Sequence, residues 1–263
     1  MTTSDILETA PPPAASQPLL SVTRIDFLES LLVTVLLALF GTTFIVQAFK
    51  IPSQSMEPTL MVGDYLLVNK FIFEGNGAWY EKLLPYRPIR RGDIVVFKFP
   101  FDDHPHYVKR VIGLPGDRLR IVKQQVFVNG NLLNEPYIIH DSGYSDAASD
   151  NFPPSESYYL QVELRPEWAR EIGSHVQHGD LVVPPDHYFV MGDNRDRSSD
   201  SRYWGFVNRD AIMGRPVVIY WSVQATAEDY VDRSFGSSLR GMEETAAHLS
   251  THARWNRMMH EVH

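Results

Sequence analysis

The residues Ile51-Pro52-Ser53-Gln54-Ser55-Met56-Glu57-Pro58-Thr59-Leu60 set two serines in a short segment stiffened by two prolines. A serine in such a run is usually a turn or capping residue. This run, however, follows a long apolar stretch directly and keeps apolar residues at what should be a polar juncture. A serine hydroxyl attacks a carbonyl only when a base removes its proton. Histidine is the usual base, but His248, His252, His260 and His263 lie near the end of the chain. His104 and His106 flank Pro105 in a loop, where such a pair is more often solvated than catalytic. No Gly-x-Ser-x-Gly elbow occurs. Lysine can take the role if burial lowers its ordinary pKa of ~10.4 by several units. Lys109 is the candidate: in Tyr107-Val108-Lys109-Arg110-Val111-Ile112, alternation puts it on the face of Tyr107 and Val111. Taken alone, that strand better fits a lysine on the wet face of a sheet edge.

A third segment runs from Met191 through Gly192-Asp193-Asn194-Arg195-Asp196-Arg197-Ser198-Ser199-Asp200-Ser201-Arg202 to Gly205. Its acidic residues invite a calcium reading, which needs oxygen ligands at alternate positions. Counted from Asp193, two of the first three such positions are arginines, so the reading fails and no metal is expected. Alternating Asp and Arg instead suit a compact loop tied by charge-assisted hydrogen bonds that fixes the direction of short hydroxyls. No cofactor is implied. The chain has no cysteine, which excludes thiol nucleophiles and thiolate metal sites.

These segments need rigid elements to hold them. Short apolar runs at Tyr65–Val68, Ile94–Phe99, Tyr107–Ile112, Arg118–Val122 and Gln125–Val128 have strand length and β-branched or aromatic content. Further strands are predicted at Leu181–Val183, Tyr188–Met191 and Val217–Trp221. Leu114-Pro115-Gly116-Asp117 and Asn129-Gly130-Asn131 are turns between them, the latter a hairpin. The pattern predicts a mostly β fold, an antiparallel sheet forming residues 51–133 and 181–223. Residues 134–180 are more polar, with one helical stretch near Pro166–Ile172, and read as an inserted smaller domain. Residues 224–263 read as a polar tail, with Trp255, Met258, Met259 and Val262 on one face of a final helix.

Before all of this, the proline-rich residues 1–26 read as a flexible tail. From Ser30 to Phe49 there are 20 consecutive uncharged residues between Glu29 and Lys50. A single N-terminal transmembrane helix over residues 27–50, ~30 Å long at 1.5 Å per residue, is therefore predicted. Val46 and Ala48 offer the small-x-small pattern of a cleavable leader. The apolar run is longer than a leader's usual ~7–15 residues, though, and lacks the preceding positive charge. Flanking charge does not decide the helix's orientation. A net charge of -8 with no basic block excludes nucleic acid as the main partner.

Taken together, the motifs resemble bacterial type I signal peptidases. Ser-x-Ser-Met-x-Pro-Thr-Leu follows the anchor; then come Arg-Gly-Asp-Ile-Val-Val-Phe, Tyr-Val-Lys-Arg-Val-Ile-Gly-Leu-Pro-Gly-Asp and Gly-Asp-Asn-Arg-Asp-x-Ser-x-Asp-Ser-Arg-Tyr-Trp-Gly, in the family's order. The resemblance spans roughly residues 30–128 and 185–222. It implies a serine endopeptidase that cuts signal peptides from exported preproteins after small residues at −1 and −3, with Ser55 as nucleophile and Lys109 as general base. Ser53 and the Ser55 backbone N–H would serve the oxyanion, and Ser198 would orient the lysine. Asp193, Asp200 and Arg202 would support the site, while Phe49, Ile51, Met56, Leu60, Tyr107 and Val108 would bind substrate. It further implies a single-pass protein of the bacterial inner membrane, in contact with phospholipid, with residues 51–263 on the outer, periplasmic side. Self-cleaving repressors that share Ser–Lys chemistry carry a DNA-binding domain, for which the N-terminal tail is too short. A non-catalytic β module would need neither Ser55 nor Lys109.

Overall fold

The computed structural model describes residues 24–41, 46–73, 86–101, 106–140, 150–154, 164–224 and 253–263. The expectations for the tail before residue 24, for His104, His248 and His252, for most of 141–163 and for all of 225–252 lie outside the described residues.

Two units result. The first, ending at Gly41, contains the helix α1 (Arg24–Phe40). Its 17 residues span ~26 Å. The side chains of Phe27, Leu28, Leu31, Leu32, Val33, Val35, Leu36, Leu37 and Leu39 are all exposed. Among the described residues no helix is long and apolar enough to cross a membrane. The predicted helix over 27–50 is corrected at its C-terminal end. It stops at Phe40, and Val46–Lys50 form the strand β1. Hydropathy cannot see the cause, which is a partner strand that pairs all five residues of β1.

The second unit, from Thr42 to His263, holds two antiparallel sheets. Strands β1, β2 (Asp64–Asn69), β3 (Ile94–Lys98) and β4 (His106–Gly113) enter the larger sheet. The chain then builds a smaller one from β5 (Arg118–Val122), β6 (Gln125–Val128), β7 (Asn131–Leu132), β8 (Asn151–Phe152), β9 (Val176–Gln177) and β10 (Asp180–Val182). It returns to the larger sheet with β11 (His187–Met191), β12 (Val207–Asn208), β13 (Ile212–Ser222) and β14 (His260–Glu261). The larger sheet runs in the order β1-β2-β13-β3-β4-β11-β12, with β14 paired on β13. Residues 118–132, expected in the catalytic sheet, pair within the smaller one.

Turn chemistry makes the crossing. Leu114 N–H donates to the Asp117 carboxylate at 2.6 Å and Gly116 has φ +85. Asn129 and Gly130, at φ 52 and 81, close the β6–β7 hairpin as a left-handed pair should. Helix α2 (Pro166–His175) starts with a proline at its first turn and buries Trp168 and Ile172 against the smaller sheet. The predicted C-terminal helix is also corrected. Trp255–Arg257 form a single 3-10 turn, His260–Glu261 pair with Val218 and Ile219, and Val262 is buried in the core.

Candidate active site

Residues 51–63 form a loop closed at its neck, where Ile51 N–H donates to Asp64 O at 2.9 Å and Gly63 N–H donates to Ile51 O at 3.0 Å. Ile51, Met56 and Leu60 turn into a core cluster with Leu66, Val68, Ile94 and Val96. Burying these three side chains fixes the loop, and one 3-10 turn (Gln54–Met56) carries Ser55. Ser53 Oγ and Ser55 Oγ are 3.3 Å apart.

Lys109 lies in β4 opposite Val95 and is 2% exposed. The wet-face reading is thereby excluded, because from Lys109 to Gly113 both faces of β4 are covered. Burial pushes its ammonium from 10.5 down to about 8; the Arg202 charge acts in the same direction, while Asp200 and Asp193 oppose it. Ser55 and Lys109 line one cleft of about 400 Å³, together with Ser53, Phe49, Ile51, Met56, Tyr107 and Val108. Leu60 is not in the cleft wall; it is fully buried in the cluster that includes Ile51 and Met56.

The loop after β11 supplies the surroundings of these groups. Asp200 is fully buried and accepts hydrogen bonds from Ser198 Oγ at 2.8 Å, Gly192 N–H at 3.0 Å and the Arg202 guanidinium at 2.9 Å. Burial alone would raise its pKa. The Arg202 charge and hydrogen bonds, Lys109 and the Gly192 N–H together hold it below the ordinary carboxylate value. Asp193 accepts both arms of Arg110, at 2.8 and 2.7 Å, and the Thr59 hydroxyl at 2.5 Å, which links this loop to the one bearing Ser55. Asn194 N–H adds a second link, donating to Ser55 O at 3.2 Å. Gly192 is required by sterics: a Cβ there would lie 2.3 Å from both Ser198 Oγ and Ser55 O. Ser198 itself is buried, and its neighbours Arg197 and Ser199 reach the cleft wall.

Several contributors escaped the sequence reading. Arg110 follows Lys109 and faces the other way, so strand alternation held the only signal for it. Glu135 pairs with Arg195, Ile139 N–H donates to Asp193 O at 3.0 Å, and Tyr137 lies 3.9 Å from the Arg110 guanidinium. These three lie in a segment whose composition marked it only as an insertion.

The family model described as signal peptidase, peptidase S26, matches residues 24–221. A signal peptidase I of Pseudomonas aeruginosa is 34% identical over 219 residues, covering 75% of this chain and 72% of that protein. A probable signal peptidase I-2 of Synechocystis is 36% identical over 207 residues, covering 76% and 75%. The crystal structure of a signal peptidase I from Enterococcus faecalis is 28% identical and covers 49% of this chain and 97% of its own, with a TM-score of 0.32, too low to bear on the fold.

Proposed function

The chain belongs to the signal peptidase S26 family, and from that premise we propose that it removes signal peptides from exported preproteins with Ser55 as nucleophile and Lys109 as general base. The observation that carries this reading is the shared cleft, which a buried lysine with a pKa of about 8 lines together with the serine. At pH 7 about one Lys109 in ten is neutral, enough to accept a proton without a histidine.

In the acylation step Ser55 Oγ bonds to the carbonyl carbon after a small residue while its proton passes to Lys109 Nζ. The carbonyl electrons move to oxygen, where Ser53 Oγ–H and the Ser55 backbone N–H donate to it; each such donor is worth ~3–4 kcal/mol. Collapse expels the mature chain's amine, which takes the proton from Lys109. Water then attacks the acyl-serine as its proton passes to Lys109 Nζ. Collapse breaks the ester bond, Ser55 Oγ leaves with that proton, and the signal peptide departs with its new carboxyl group while lysine and serine return to their starting states. Ser198, already donating to Asp200, keeps its oxygen lone pairs available to orient the lysine amine. Asp193, Asp200 and Arg202 fix that loop. Phe49, Ile51, Met56, Tyr107 and Val108 form the apolar wall that accepts small residues at −1 and −3, with Leu60 packed in the cluster behind it.

The exposed leucines and valines of α1 suit lipid. We assign α1 to anchoring the protein at the bacterial cytoplasmic membrane, with the catalytic unit on the outer side, where preproteins emerge. Alkaline extraction of membranes tests this: a chain released like a peripheral protein would remove the anchor.

Cleavage of a preprotein by purified wild type and Ser55→Ala tests the chemistry. Wild type should release the mature protein, and Ser55→Ala should be slower by ~10⁴-fold or more. Retained activity in Ser55→Ala, or an intact preprotein with wild type, would sink the reading.

A further inference from the structure

The segment Ala253–His263 is placed by contacts along β13 from Arg215 to Ser222. Arg254 N–H donates to Ser222 O at 2.9 Å, Met259 N–H to Ile219 O at 2.7 Å and Val262 N–H to Val217 O at 3.0 Å. Its side chains reach the loop that carries Ser55. Arg257 Nη2 donates to Thr59 O at 2.9 Å and to Asp64 Oδ2 at 2.6 Å, and Arg254 Nη1 donates to Val62 O at 3.0 Å. Asp64, at the loop's neck, is fully buried; among the described residues the cations that reach it are Arg257 and, at 3.9 Å, Arg254. Val262 lies in the same core cluster as Ile51, Met56 and Leu60, the three side chains that seat the loop. At the far end of the segment the His263 main-chain oxygen accepts from Arg110 at 3.2 Å, the residue that holds Asp193 and through it Thr59.

We propose that residues 253–263 are a strap that sets the position of the Ser55 nucleophile, with Arg257 as its principal positioning residue. Arg257 suits the task because one planar guanidinium grips two points of the loop, the Thr59 carbonyl and the Asp64 carboxylate, in fixed relative directions. Releasing the Thr59 carbonyl removes the hold nearest Ser55 on that side of the loop, leaving the Thr59 hydroxyl on Asp193 and, farther along, Met61 N–H on Asp64 and Val62 O on Arg254. Displacement of a reacting group by about 1 Å costs on the order of 100-fold in rate. The proposal rests on Ser55 being the nucleophile.

The test uses the full chain and two independent readouts. Arg257→Ala should lower kcat for preprotein cleavage by ~10–100-fold with KM within about threefold. Arg257→Lys, which keeps the charge without the fork, should fall between the two. The double variant Asp64→Asn/Arg257→Met removes both charges and so leaves no unpaired buried carboxylate, yet should remain slow because Thr59 O is still ungripped. Hydrogen exchange, which needs no activity, should quicken by ~10-fold or more at the Leu60 amide, which donates to Met56 O at 2.8 Å, and stay unchanged across residues 118–128. Unaltered exchange at Leu60 in Arg257→Ala, or recovery of wild-type kcat in the double variant, would overturn the strap. If wild type cleaved nothing while the exchange difference appeared, the peptidase reading would fall and take the positioning of a nucleophile with it, leaving residues 253–263 only as a mechanical hold on the 51–63 loop.

Discussion

Replacing Lys109 by methionine should abolish cleavage and stabilise the protein in the same stroke. The lysine is enclosed, and its pKa falls from 10.5 to about 8 chiefly because the site lacks water. Below about pH 8 the amine is charged in both the folded and the unfolded chain, so the folded state bears the full penalty of a buried charge. As pH rises from 8 towards 10.5 the unfolded chain keeps a proton that the folded chain has lost, and stability increases. A displacement from 10.5 to about 8 corresponds to roughly 3 kcal/mol. Methionine has nearly the same length and no charge to desolvate. At pH 7 the variant should therefore exceed wild type by up to roughly 3 kcal/mol, or about 6–12 °C in Tm. The gap should close as pH approaches 10.5. Urea unfolding of both proteins at several pH values between 6 and 10 measures it. A variant less stable than wild type at pH 7, or a gap that does not change with pH, would show that the lysine is not held against its charge.

The same displacement predicts that the wild-type cleavage rate climbs with pH around a midpoint near 8 and flattens by about pH 9, whereas an ordinary lysine would still be climbing there. Stopped assays from pH 6 to 10 separate the two. Gly192→Ala should cut kcat by ~100-fold and cost about 1–3 kcal/mol, because its methyl group would lie 2.3 Å from Ser55 O and Ser198 Oγ; paired activity and unfolding measurements check it. Arg110→Met should cost about 3–5 kcal/mol in urea unfolding by leaving the Asp193 carboxylate buried without its bidentate partner. A loss below 1 kcal/mol would mean that the pair contributes little.

Local features were readable because they depend on neighbours in the chain. Short apolar runs with β-branched or aromatic content found β2–β6, β10 and β11 to within a few residues at each end, and the C-terminal half of β13. Asn129-Gly130 and Leu114–Asp117 declared their turns through backbone conformations that few residues tolerate. Ser55, Lys109 and the 193–202 loop stood out because each places side chains capable of chemistry in a segment otherwise rigid or apolar.

What stayed hidden depends on partners far along the chain. The uncharged run from 30 to 49 looks continuous to hydropathy, yet it divides because β1 finds five partners on β2. Lys109 could face water or protein on its own strand; the coverage of both faces of β4 decides for protein and, by removing water, sets its pKa. Residues 255–262 read as one face of a final helix, but pairing of the segment with β13 turns its Arg254 and Arg257 onto Asp64, about 190 residues away in sequence. Sequence alone determined which groups could do chemistry, since residue type and local spacing fix that. Only the tertiary structure decided which of them meet and how dry their meeting place is, because contact and solvation belong to the packed chain and not to any stretch of it.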